Sequence, residues 1–349
     1  GGIGATAAPL VKVDGMTKAG DFLLGNPVWD GYVYRLVLGG DNSWSAAPAF
    51  SLAQTFAALD RDAGVAQQLL DGQQAGLVNA MAQDCQHFGP TGACISLAGR
   101  STTLGRDEGS SDALVLTAAV QPRDTAWRIG SFLDQRVAGK LPDGFSFEHM
   151  GPTLGGFAGY GAADGLGPRL RLSGAWTSAR LGIERPDVLG LIEGGEADAS
   201  FTGWGLGGEV GYGLGVGELD VTPFAGLRRV VSTRGAYAEQ GGDADYPLSA
   251  EAMSMAQTTL STGATLQTGL GDAISLEAGF GVEHDVSVAR DGFDGSFRDV
   301  GSFAIDPGSS WRRTRLFGGA GIDYALDDGI GLSLTASARQ LPLDGAVDV

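Results

Sequence analysis

The chain has 349 residues, and 59 of them are Gly, roughly one in six where an ordinary globular chain carries about 7%. A formal net charge of -18, with 20 Arg but only 3 Lys, removes the basic footprint that a nucleic-acid partner requires. A hydrophobic content of 43% is too high for an acidic disordered chain, and no run approaches the ~18 apolar residues of a spanning helix, so any membrane-crossing structure must be a closed barrel.

The chain opens Gly1-Gly2-Ile3-Gly4, without an initiator Met or an apolar export signal, as a processed chain or a fragment would. Residues 1–47 alternate short extended runs with turn signals. In YVYRLVL, Tyr32, Tyr34, Leu36 and Leu38 alternate with Val33, Arg35 and Val37, the period of a strand. Residues 48–83 change texture: Leu52, Phe56, Leu59, Val65, Leu69 and Leu70 follow helical spacing. Gly64, Gly72 and Gly76 each cost this helix about 1 kcal/mol against Ala, so it needs an enclosure. Cys85 and Cys94 follow in QDCQHFGPTGAC, too few ligands for a structural zinc site even with His87. A local disulfide is expected, and two buried thiols are the alternative.

From Cys94 onward, segments of alternating apolar and small or polar residues recur, the dyad signature of a transmembrane β-barrel. In RLRLSGAW, Leu170, Leu172 and Trp176 share one face and Arg169, Arg171 and Ser173 the other. The polar faces hold Arg, Glu, Gly, Ser and Thr, as a wet lumen would. The segments predict twelve antiparallel strands at 94–104, 112–121, 125–137, 150–160, 168–180, 200–212, 218–231, 254–268, 273–288, 296–304, 311–324 and 329–341. One set of links (105–111, 138–149, 181–199, 232–253, 289–295, 325–328) is longer overall than the other, which separates an external rim from a periplasmic one. Trp127, Tyr212 and Trp311 then fall near the periplasmic girdle, and Trp176, Trp204 and Tyr324 near the external one. A charge facing lipid costs about 2–4 kcal/mol at the midplane. Arg128, Arg136, Arg169, Arg171, Glu209, Glu277, Glu283, Asp285 and Arg339 are therefore assigned to the lumen. There the arginines either clamp the helix through Asp60, Asp62 or Asp71 or pair across strands and hold water, and the helix is expected to be a polar plug without a dry core.

The segment PLVKV…DFLLGNPVWDGYVYRLVLGGDNSW resembles the last rungs of an autotransporter passenger. GPTLGGFAGYG, FTGWG, TPFAGLRRV, AYAEQ…PLSAEA, FGVEHDV and LSLTASARQ resemble the translocator barrel of type V secretion systems. The resemblance implies an all-β fold: a 12-stranded barrel in the outer membrane of a Gram-negative bacterium, a pore-threading α-helix, and a short β-helix remnant outside. It implies a passenger stub at 1–47 displayed at the cell surface, a linker with the pore helix at 48–92, and the translocator barrel at 93–349. Outer-membrane lipid, the barrel-assembly machinery and the chain's own passenger are the implied partners, and a monomer is the implied state. Barrels of this family usually end on an aromatic residue that the assembly machinery reads; here the sequence runs on as QLPLDGAVDV, which leaves that signal unassigned.

Enzyme signals are thin. GWGLGG (Gly203 to Gly208) has the spacing of a dinucleotide fingerprint but sits inside a predicted barrel strand rather than in a βαβ unit. His87, His149 and His284 have no motif-borne nucleophile, and DGFDGSFRD and LDDGIG lack a full calcium ligand set. Asn79 is the one helix asparagine at which the family's in-pore cleavage could fall. The expectation is a non-enzymatic translocator without metal or cofactor, with a surface adhesin anchor or a porin-like channel as alternatives.

Overall fold

The structure, a computed structural model, describes residues 10–18, 21–85, 88–103, 110–123, 125–162, 165–186, 188, 192, 194–240, 246–271, 273–308, 311–327, 330–340, 342 and 347–348. The chain begins with a four-stranded sheet of β1 (Val11–Lys12), β2 (Val28–Trp29), β3 (Tyr32–Leu38) and β4 (Ser43–Ser51), in the order β1-β4-β3-β2. Asp30 and Gly31 between β2 and β3 have φ of 49° and 76°, the two positive values of a tight Asp-Gly hairpin. All the pairings here are antiparallel. The expected β-helix remnant is thus corrected to an antiparallel meander: tight turns reverse the chain, where a β-helix would need its coils to advance in parallel.

β4 runs directly into α1 (Leu52–Met81), whose 30 residues span about 45 Å. The wall follows as β5 (Ala93–Thr103), β6 (Ser110–Val120), β7 (Trp127–Lys140), β8 (Phe145–Met150), β9 (Thr153–Tyr160), β10 (Gly167–Arg185), β11 (Gly195–Val216) and β12 (Leu219–Arg234). Two short strands, β13 (Tyr237–Ala238) and β14 (Leu248–Ala250), precede β15 (Met253–Leu270) and β16 (Ile274–Arg290). Another pair, β17 (Phe293–Phe297) and β18 (Gly301–Ile305), precedes β19 (Thr314–Asp327), β20 (Ile330–Gln340) and β21 (Val347–Asp348).

The main sheet has 13 strands. β8 and β9 lie end to end along β10 and make one stave, so the wall has twelve staves among the described residues, the last being the two-residue β21. Neighbouring staves pair antiparallel except at the seam. There β20 runs parallel to β5 over Ile330–Ser333, while β21 pairs with β20 at Arg339 and Gln340. Eleven full-length up-and-down staves leave the first and last pointing the same way, which is why this contact is parallel.

The predicted stave at 296–304 is corrected. Residues 293–305 form the β17–β18 hairpin, which joins β13 and β14 in a separate sheet of order β13-β14-β17-β18 over the long-loop rim. Its alternation is real, but its inward residues Phe293 and Phe297 pack into an apolar cluster instead of facing lipid. Removing one stave reverses the direction of everything after it. Trp311 therefore lies on the long-loop side, and Tyr324, near the end of β19, on the short-turn side, the opposite of the expected girdle positions. β19 ends at Asp327 and β20 begins at Ile330, so this link falls on the short-turn side rather than the long-loop side expected for it.

The wall's two faces exchange character partway up. On β11 the outward residues from the short-turn end are Val216, Leu214, Tyr212, Val210, Gly208, Leu206 and Trp204, then Thr202, Ser200, Asp198 and Glu196. The inward set runs through Gly215, Gly213, Gly211, Glu209, Gly207, Gly205 and Gly203, then Phe201, Ala199 and Ala197. Trp204 faces Trp176 across the β10–β11 pair, and Tyr212 faces Pro168. Eight residues of strand separate these levels, about 26 Å along the chain and about 20 Å in height at the usual tilt. That is close to the height of an outer-membrane apolar band. Above Trp204 the wall stands in water and its interior is dry.

The inward glycines of β11 make room for the helix. A Cβ at Gly205 would lie 2.8 Å from Met81 Cε, and one at Gly203 would lie 2.9 Å from Leu77 Cδ1. Gly205→Val should lower stability by about 1–3 kcal/mol through overpacking, whereas the outward Leu206→Val should stay within about 0.5 kcal/mol of wild type. The urea midpoint of heat-modifiable gel migration reads both, and equal midpoints for the two variants would remove the glycine-column explanation.

Candidate functional site: the plugged pore

The site is the lumen and what fills it. α1 enters from the N-terminal sheet at the long-loop rim and descends with Thr55, Leu59, Ala63, Ala66, Gln67, Leu70, Gln74, Leu77 and Met81 buried. Its hydrophobic pattern is weak in the sequence because much of the buried face is Ala and Gln, small or flat enough to lie close to a glycine wall.

Two apolar clusters grip it. In the upper one, Leu59, Ala63, Ala66, Leu69 and Leu70 pack with Leu181, Ile183, Ala199, Phe201, Leu248, Met253, Met255, Phe293 and Phe297. In the lower one, Leu77, Ala80 and Met81 pack with Cys85, Cys94, Ala119, Phe132, Phe157, Ala175 and Val230. The expectation of a plug without a dry core is thereby corrected. The apolar partners come from the upper wall and from the cap sheet, whose distance in sequence hid them. Gln74 Nε2 donates to the carbonyl of Met255 at 2.7 Å, a polar contact within this packing.

Just past the helix, Asp84 closes the lower end. Its Oδ2 accepts from Arg128 Nη2 at 2.7 Å and lies 2.9 Å from Arg171 Nη1. Arg171 Nη2 also donates to the carbonyls of Met81, at 2.9 Å, and Gln83. These carbonyls at the helix end have no partner within the helix, and a cation there also suits the helix dipole. Cys85 and Cys94 are buried and joined in a disulfide, which ties this end of the linker to the first stave. Asp60 is exposed, Asp62 feels Arg185, and Asp71 is buried at 3% exposure.

Beside the helix runs a charged belt. Glu283 accepts from Arg228 Nη1 at 2.8 Å and from Arg339, with Arg315 3.7 Å away. Asp285 takes Arg315, Gln257 Nε2, Thr259 Oγ1 at 2.9 Å and Trp311 Nε1 at 2.9 Å. Trp311 is therefore a lumen-side hydrogen-bond donor near the long-loop rim, with Arg290 against its ring at 5.2 Å. Arg169 reaches Thr222 Oγ1 at 3.3 Å, Glu209 lies in the field of Arg171 and Arg169, and Arg136 sits 4.8 Å over the ring of Phe147. Glu277 shares the inward face of β16 with Glu283. Arg228 and Arg315 escape sequence reading because they sit in Arg228-Arg229 and Arg312-Arg313-Thr314-Arg315, where alternation cannot choose a face without the register.

The girdle residues that do face outward are Trp127, Tyr160, Tyr212 and Tyr324 at the short-turn side and Trp176 and Trp204 above, all at least 37% exposed. Trp127 and Tyr160 pack with centroids 5.1 Å apart. His284 faces outward with Nδ1 2.8 Å from Thr314 Oγ1, and His149 is paired in register with Arg180; His87 lies outside the described residues. GWGLGG is the strand whose inward glycines admit Leu77 and Met81, not a phosphate loop.

The cap sheet contacts the N-terminal sheet. Tyr246 Oη donates to the carbonyl of Tyr34 at 2.6 Å, and Phe50 packs against Tyr246 and Phe297 at 5.8 and 5.7 Å. Arg185 on β10 pairs with Glu239 through Nη2–Oε2 at 2.8 Å, and Glu239 also accepts from the Leu248 amide. Burial within the cap pushes the Tyr237 hydroxyl up to about 12.

A twelve-stave wall with an apolar belt, an aromatic girdle and a helix seated in its pore defines the class: an outer-membrane translocator barrel. Residues 124–337, more than half of the chain, match the family described as "Autotransporter beta-domain", and the chain belongs to that family. It supports export of a passenger across the outer membrane of a Gram-negative bacterium. The chain is also similar in fold to the translocator domain of autotransporter NalP from Neisseria meningitidis, with a TM-score of 0.55 at 17% identity, covering 83% of this chain and 94% of that one. No curated protein matches the sequence.

Removing one side of the belt should be costly. Glu283→Gln leaves Arg228, Arg315 and Arg339 sharing one carboxylate fewer, and a loss of about 3–5 kcal/mol is expected, read as a lower thermal midpoint of the folded band. Asp84→Asn should assemble normally yet raise uptake of large antibiotics by whole cells. Unchanged uptake would assign closure of the lower end to steric filling alone.

Proposed function

We propose that the chain rests after export as a closed barrel, with the meander of residues 10–51 held at the cell surface and α1 kept in the pore as a permanent plug. The observation that carries this reading is the continuous seat of α1, from Leu59 on the upper cluster to Met81 against Gly205. The contact of Tyr246 and Phe50 supports a stub seated on the cap sheet. Family membership supports insertion by the barrel-assembly machinery. A monomer is supported by a pore filled from within the chain's own sequence.

We read the chain as non-enzymatic. Its buried carboxylates Glu283 and Asp285 and the arginines around them are engaged with one another, which is how a structural network differs from a poised catalytic pair. The porin-like alternative requires α1 to leave the lumen against both apolar clusters. An adhesive role would belong to the passenger, with the barrel as its anchor.

In planar bilayers the purified chain should show small, infrequent openings, and excision of residues 52–81 from the refolded protein should produce a large, steady conductance. A large steady conductance in the intact chain would support the channel reading instead.

A further inference from the structure

Arg229 stands on the outward face of β12, because its neighbours Arg228 and Val230 turn inward, onto Glu283 and into the lower apolar cluster. Its register partners are Leu206 on β11 and Thr258 on β15, and Leu227 and Val231 flank it on the same face. The guanidinium donates from Nη1 to Thr258 Oγ1 at 3.0 Å, and among the described residues no carboxylate pairs with it. Its register partner Leu206 lies two residues below Trp204, so Arg229 stands within about 5 Å of the upper girdle that marks the outer edge of the apolar band. A charge there costs about 0–1 kcal/mol, against 2–4 at the midplane, and it meets the layer where lipid headgroups lie.

From this arginine a shallow groove of about 690 Å³ crosses the outer wall. Leu227, Leu206 and Leu172 side it, and Gly208, Gly156 and Ala158 lower its floor. The hydrogen-bonded rows climb around a tilted barrel, so the groove slopes down from Arg229 on β12 toward Gly156 on β9. Three interstrand steps make it about 14 Å long. It is apolar along its length and cationic at its upper end, the pattern of an amphiphile with its head at the outer interface. Arginine's fork of donors suits phosphate oxygens.

We propose that this groove binds an outer-leaflet lipid with a phosphate-bearing headgroup, the phosphate on Arg229 and Thr258 and one acyl chain along Leu227, Leu206 and Leu172. The site rests on the membrane placement of the wall and is independent of whether the pore stays plugged, which conductance reads separately. Its consequence is a fixed lipid against β9–β12, where the outward Gly156 and Gly208 lower the wall.

The test is native mass spectrometry of the folded chain in non-ionic detergent with diphosphoryl lipid A or dioleoyl phosphatidic acid, dioleoylglycerol serving as the phosphate-free control. Wild type should hold either phosphate lipid at about five times the occupancy of the control or more. Arg229→Gln should fall to control level, and so should Gly208→Leu, which fills the groove while leaving the arginine in place. Heat-modifiable migration confirms that each variant is a closed barrel. Wild-type occupancy in Arg229→Gln, equal binding of dioleoylglycerol, or full displacement by excess inorganic phosphate would each overturn the site, the last by reducing it to a simple anion contact.

Discussion

The structure depends on one constraint: a sheet in lipid must satisfy every backbone group within itself and give its two faces opposite polarity. Closure meets the first demand. Strict alternation meets the second, and in this chain the alternation changes sign at the level of Trp176 and Trp204. Below that level leucine, valine and aromatic rings face out and glycine or charge faces in; above it Ser200, Asp198 and Glu196 face out and Phe201, Ala199 and Ala197 face in. The lower wall is a membrane protein with a narrow polar lumen, and the upper wall is closer to a soluble barrel with a core.

That inversion explains how one helix can be held along its whole length. A polar helix with interior glycines gains little from isolated surface ion pairs, each worth about 0–1 kcal/mol. Burial of Leu59, Leu69 and Leu70 against the upper wall and cap supplies the larger contribution, at roughly 1.5–3 kcal/mol for each fully buried side chain. The ionic contacts do a different task. Asp84 fixes the helix end between Arg128 and Arg171, and the Glu283–Asp285 belt ties β12, β16, β19 and β20 together across the lumen. Buried networks of this kind add little net stability against an apolar alternative but penalise loss of any member, so they fix register.

The cap sheet joins the barrel to the N-terminal sheet. Its strands come from the links after β12 and β16, far apart in sequence, and they cover the upper cluster on one side and receive Tyr34 and Phe50 of the N-terminal sheet on the other. Deletion of either link would expose both surfaces together, which couples the packing around α1 to the seating of β3 and β4 above it.

Much of this was legible in the sequence. Period-two alternation located eleven of the predicted strands within a few residues, the change of texture at residues 48–83 marked the helix, and QDCQHFGPTGAC marked the cysteine pair. Alternation is a local property, so local reading recovers it. The errors share one origin. The segment at 296–304 alternates as a stave does, but only the packing of Phe293 and Phe297 shows that its apolar face meets a core rather than lipid, and that one miscount exchanged the rims of Trp311 and Tyr324. The dry core, the facing of Arg228 and Arg315, and the role of Asp84 likewise depend on which distant segments share the lumen. The sequence by itself determined which residues lie on the same face of each strand, because that follows from backbone geometry. Only the tertiary structure decided where the outward face passes from lipid to water and which inward residues meet the helix, because that depends on the order, direction and height at which the staves close.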